Sequence, residues 1–94
     1  MTESNRIEYK QILTEQLEKE IIAFLNATTG GVIYIGVNDQ GQAVGLKNAD
    51  ALQLKIKDRL KHNIAPSCLG LFDIVLEQQD NQQIIKIIIA SGRE

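Results

Sequence analysis

Ninety-four residues, 44% hydrophobic and 23% charged with a net charge of −2, describe one small globular domain. Its single cysteine, Cys68, excludes an internal disulfide and leaves too few ligands for a Cys/His zinc site. The longest apolar run is four or five residues, against the roughly 20 of a membrane helix, and the polar start at Met1–Glu8 has no leader character, so a reduced cytoplasmic setting without membrane attachment is expected.

Ile7-Glu8-Tyr9-Lys10 alternates apolar and polar residues and reads as a short strand. From Thr14 the period changes. Leu17, Ile21, Phe24 and Leu25 recur at helical spacing, with Glu15, Glu18, Lys19 and Glu20 on the other side. Thr14 suits an N-cap, the early acids suit the helix dipole, and Gly30-Gly31 ends the element. Val32–Val37 is a β-branched run of strand length, expected to be buried on both faces. Asn38–Gly41 is a turn, and Ala43–Leu46 reads as a returning partner strand.

Residues 50–64 carry Leu52, Ile56, Leu60 and Ile64 four apart, and Asp50 and Pro66 bracket a helix. Lys55, Lys57, Arg59 and Lys61 are expected along its exposed side. Two strands follow, Leu71–Glu77 and Ile84–Ala90, joined by the polar loop Gln78–Gln83. The sum is an α+β domain of order β-α-β-β-α-β-β. It has a mixed sheet of about five strands with two helices packed on one face.

Such a short chain buries only about 60–65% of its unfolded surface, and its core must come from aliphatic residues because aromatics make up 4%. The chain stops directly after its most hydrophobic strand. A fragment of a larger domain, or a subunit needing a partner, is therefore expected. One such partner arrangement pairs the strand Ile84–Ala90 across two copies as an unprotected edge.

Charge is unevenly spread. Residues 1–50 hold seven acids against four bases, residues 51–65 one against four, and residues 66–94 four against two. The basic segment fits a phosphate-contacting surface and equally a solvated helix face. The clustered glycines follow a helix and open a strand, the reverse of a dinucleotide fingerprint, and no phosphate-loop motif is present. His62 and Cys68 lack a third partner for nucleophilic catalysis. Tyr9, Tyr34, Phe24 and Phe72 are scattered and predict no stacking platform.

Carboxylates give the strongest chemical lead. Glu3, Glu8 and Asp39 fall before the first strand, in it, and in the turn at Asn38–Gly41, three places a small fold can bring together. A hard divalent ion takes carboxylate and water oxygens and can activate water against a phosphodiester. Surface acids and a turn aspartate would show the same spacing.

Several strings together resemble the AlbA-like domain of the Schlafen family. They are Glu3-Ser4-Asn5-Arg6-Ile7-Glu8-Tyr9-Lys10, Ile22-Ala23-Phe24-Leu25-Asn26, Gly30-Gly31, Ile33–Asp39 and Val44-Gly45-Leu46. The resemblance covers essentially the whole chain, in a bacterial branch. It implies a nucleic-acid-binding domain, DNA or RNA, at the N-terminus of a predicted transcriptional regulator with further domains behind. It also implies that residues 1–94 form a single domain lacking its final strands. Arg6, Lys10, Lys55, Lys57, Arg59 and Lys61 would then supply phosphate contacts. In animal Schlafens, related domains cleave RNA with a metal held by three acids. Their counterparts here are Glu3, Glu8 and Asp39, so the resemblance offers a second expectation, a Mg²⁺- or Mn²⁺-dependent RNA endonuclease with Lys10 steadying transition-state charge. A third is an oligomerisation module.

Overall fold

The computed structural model describes residues 7–26, 30–63 and 71–90. Six elements occupy them: β1 (Ile7–Lys10), α1 (Leu17–Asn26), β2 (Gly31–Ile35), α2 (Ala49–Asn63), β3 (Phe72–Gln79) and β4 (Gln82–Ile89). The α+β class is as expected, with a mixed sheet of four strands, in the order β1-β2-β4-β3. β1 runs parallel to β2, which requires the crossover that α1 provides, and the other pairings are antiparallel.

The fifth expected strand does not form. Ala43–Leu46 makes only a single bridge, Ala43 to Val37. Gly36 explains why the chain turns away. Its φ is +98°, and a Cβ there would lie 2.9 Å from the Leu46 side chain. The returning segment therefore crosses close over the bare backbone, where Val44 and Gly45 both donate to the Gly36 carbonyl.

The last hairpin is tighter than its polar sequence suggests. Strand pairing continues to Gln79–Gln82, leaving Asp80 and Asn81 as a two-residue turn, both at positive φ. Asp and Asn tolerate that conformation, and the turn's twist matches that of the flanking strands. β4 itself lies inside the sheet with both edges paired, so it has no free edge for a second copy. The cross-chain pairing expected of Ile84–Ala90 is thereby corrected. An almost continuous isoleucine run belongs in an interior strand.

α1 begins at Leu17, after a turn in which the Gln16 amide donates to Thr14 Oγ1 at 3.2 Å. Register sorts the sheet into two faces. Ile33 and Ile35 of β2 share a face with Ile85, Ile87 and Ile89 of β4, and α1 and α2 cover it with Leu17, Ile21, Phe24, Leu25, Ile56 and Leu60. Burying each such side chain contributes about 1.5–3 kcal/mol. β2 is not buried on both faces: Val32 and Tyr34 point the other way and are half-buried. No described helix covers that second face.

Two isoleucines adjacent in β4 should therefore differ sharply. Ile87 is fully buried beneath the helices and Ile88 is 36% exposed on the opposite face. Ile87→Ala should cost about 2–5 kcal/mol in urea unfolding, and Ile88→Ala less than about 1.5 kcal/mol. Equal losses would contradict the one-sided core.

Candidate nucleic-acid interface

The β1–β2 register places Glu8 and Lys10 on the helix-covered face. There the Lys10 ammonium pairs with Glu20 of α1 and lies 3.5 Å from Glu8 Oε2. Hydrogen bonding to Glu20, opposed by partial burial and aided by the charges of both acids, raises the Lys10 pKa above 10.5. The second Glu20 oxygen, Oε1, is buried without a hydrogen-bond partner. Glu20 reads in the sequence as an ordinary acid of a helix's first turns, and only the fold brings it to Lys10.

Asp39 occupies a turn organised by Asn38. The Asn38 side-chain oxygen accepts from the backbone amides of Gln40 and Gln42 at 3.0 and 2.9 Å. This holds Asp39 exposed. Glu3 and Arg6 lie outside the described residues, so the three-acid set is only partly visible. The described part does not fit a divalent ion by itself. Glu8 is already neighboured by a cation, and no group of three or more Asp, Glu, His or Cys among the described residues is arranged for metal.

The cations of α2 do not share one face. Residues two apart on a helix point about 200° apart, and Ile56 and Leu60 face the core between them. Lys57 and Lys61 flank the β3 side, lining a shallow groove of about 310 Å³ with Phe72, Asp73 and Ile74. Lys55 lies on the other flank, with Lys47 and Leu52 along a wider groove of about 670 Å³. Among the described residues no carboxylate pairs with Lys47, Lys55, Lys57 or Lys61. Lys47 stands just past the expected strand Ala43–Leu46 and outside the basic helix, so no local pattern singles it out.

Arg59 is engaged elsewhere. Its Nε donates to Glu18 Oε2 at 2.9 Å and its Nη2 to Glu18 Oε1 at 2.5 Å, a two-pronged bond that ties α2 to α1. Asn63 adds a donor to Glu18 Oε2 at 3.2 Å. The Arg59 pair holds the Glu18 carboxyl below 4.5.

One constellation contradicts the expectation that the aromatics are scattered. Tyr9 and Tyr34 are cross-strand partners on the helix-free face, with ring centroids 5.8 Å apart and planes tilted by 37°. Lys86 continues the row across β4, its ammonium 5.8 Å from the Tyr34 ring centroid and 3.5 Å from Glu77 Oε2. Twenty-five residues separate the tyrosines in sequence. Only the parallel register makes them neighbours.

The family model described as Schlafen, AlbA_2 matches residues 3–94, and the chain belongs to that family. A solved structure of the N-terminal domain of a RecG-related protein from Nitrosomonas europaea is similar at 25% identity and a TM-score of 0.76. The match covers 97% of this chain and 66% of that one. The DIP2311 protein from Corynebacterium diphtheriae shares the fold at 19% identity and a TM-score of 0.64, over 96% of this chain and 21% of its own. No curated protein sequence matches the chain. Among the described residues, no helix is long and apolar enough to cross a membrane.

The Glu18–Arg59 pair predicts a pH dependence. Glu18 titrates below 4.5 when folded, so the unfolded chain binds the proton first. The stability this gives is complete above about pH 4.5 and is lost as pH falls through the folded value. Urea midpoints of the wild-type chain should therefore fall more between pH 6 and pH 3 than those of Arg59→Met. Parallel curves would show that the pair contributes nothing.

Proposed function

We propose that this Schlafen AlbA_2 domain binds nucleic acid, as one part of a longer bacterial transcriptional regulator. The observation that carries the reading is the set of exposed lysines around α2. Lys55, Lys57 and Lys61, with Lys47 beside them, keep their ammonium groups clear of carboxylates among the described residues. A cation not held by an internal partner can neutralise a phosphate and release a counterion. Lys10 and Arg59 serve the fold instead, so the phosphate-contacting surface is smaller than the basic sequence suggests and wraps around both flanks of the helix. Family membership supports the reading, and the N. europaea relative is named for an ATP-dependent DNA helicase.

Contacts of this kind position a backbone without reading its sequence. Binding is therefore expected to be modest and sensitive to salt. Binding is favoured over metal-dependent cleavage because Glu8 has Lys10 beside it, an arrangement that lowers its attraction for a divalent ion.

The test is the salt dependence of binding to an oligonucleotide, followed by fluorescence anisotropy. Affinity should fall as salt rises, and each of Lys55→Gln, Lys57→Gln and Lys61→Gln should reduce the logarithmic slope by about 0.7–0.9. Affinity that does not change between low and moderate salt would overturn the reading.

A further inference from the structure

The helix-free face of the sheet carries chemistry that the lysines of α2 do not use. Its central row runs Tyr9, Tyr34, Lys86, Val75 across all four strands. Beside the two rings lies a hollow of about 140 Å³ lined by Ile7, Tyr9, Tyr34, Val37, Gly41 and Gln79. Gly41 forms its wall at a positive φ of 81°, where a Cβ would lie 3.4 Å from the Tyr9 hydroxyl. Gln79 is exposed at the end of β3 and brings an amide that can both donate and accept.

We infer that this hollow takes up an unstacked base of a single strand. The base would lie against Tyr9 and Tyr34, with its edge toward Gln79. Lys86 would attract the adjoining phosphate in competition with Glu77. The inference rests on the nucleic-acid reading and deepens it by naming the strand state and the surface. Aromatic rings on an open sheet face suit bases, because every base offers a π-face and stacking tolerates sequence. A duplex keeps its bases stacked inside and cannot present one to the hollow.

A second copy of the chain is a poorer occupant. Strands of four, five, eight and eight residues, about 4.8 Å apart, give this face a footprint on the order of 400 Å². A stable dimer buries about 800 Å² per partner. Mixed charge also interrupts the apolar surface, since Asp73, Glu77 and Lys86 all sit on it.

The chain offers a direct probe. Tyr9 and Tyr34 are its only tyrosines and it has no tryptophan, so its intrinsic emission reports on this face alone. The 94-residue chain is titrated at low salt with a 12-nucleotide oligo-dT strand and with a 12-base-pair duplex, reading tyrosine emission and the anisotropy of labelled oligonucleotide. The single strand should quench the emission and the duplex should not. Tyr34→Leu should weaken single-strand binding about 5- to 100-fold and leave duplex binding unchanged. Tyr34→Phe, which keeps the ring, should bind the strand like wild type. Gln79→Ala, at an exposed position that the fold does not depend on, should weaken strand binding several-fold.

Three results would overturn the inference. Equal affinity for strand and duplex, unaffected by Tyr34→Leu in a folded variant, would remove the hollow and leave the nucleic-acid reading intact. Binding to neither oligonucleotide would remove both. A wild-type dimer in sedimentation that Tyr34→Leu converts to a monomer would assign the face to a second copy.

Discussion

Backbone pairing of β4 on both of its edges joins the two strand-bearing halves of the chain. Residues 7–35 form a parallel β-α-β unit, and residues 72–89 form a hairpin. The β2–β4 ladder, from Gly31–Ile89 to Ile35–Ile85, is the strand pairing that unites them among the described residues. It also fixes which isoleucines meet the helices. A slip of one residue would move Ile85, Ile87 and Ile89 to the far face and leave α1 and α2 without a floor. Burial of this face is thus both the main source of stability and the device that sets register.

That arrangement has a consequence for charge. Two helices suffice to cover one face, and they are tied down at their edges by Lys10–Glu20 and Arg59–Glu18. Lys10 and Arg59 are thereby held in internal pairs, and the partly buried Arg59 fork is geometrically specific. Among the described residues the lysines left in solvent include Lys47, Lys55, Lys57 and Lys61 around α2 and Lys19 on α1, and no described helix covers the sheet's other face with its aromatic row. On the proposed reading, stability and recognition occupy opposite sides of the same strands. Tyr34 and Ile35 are adjacent in the chain, yet one lines the hollow beside Tyr9 and the other faces the core.

Much of this fold is legible in local pattern. The helical spacing of Leu17, Ile21, Phe24 and Leu25, and of Ile56 with Leu60, reports a buried stripe whatever it packs against. The β-branched runs report strands for the same reason. What local pattern does not carry is pairing. Nothing around Ala43–Leu46 says that Gly36 will draw it across the backbone instead of beside a strand. Nothing in Asp80-Asn81 alone says that pairing will persist to the turn. The site depends on such non-local facts even more. Lys10 meets Glu20 and Arg59 meets Glu18 only after α1 docks, so a count of cations overstates the phosphate surface. Tyr9 and Tyr34 become neighbours only through parallel register. The family strings motivate the proposed nucleic-acid ligand, since local physics leaves the basic segment open between a phosphate surface and a solvated helix face.

The central claim is that the two faces of the sheet have separate roles, with nucleic acid engaging the helix-free face and the lysines of α2. Amide chemical shifts of ¹⁵N-labelled chain, followed during titration with a 12-nucleotide oligo-dT strand, test it most directly. The account predicts shifts at Tyr9, Tyr34, Gln79 and Lys86 together with Lys55, Lys57 and Lys61, while α1 stays unmoved. Shifts confined to α1, or none at saturating oligonucleotide, would contradict it.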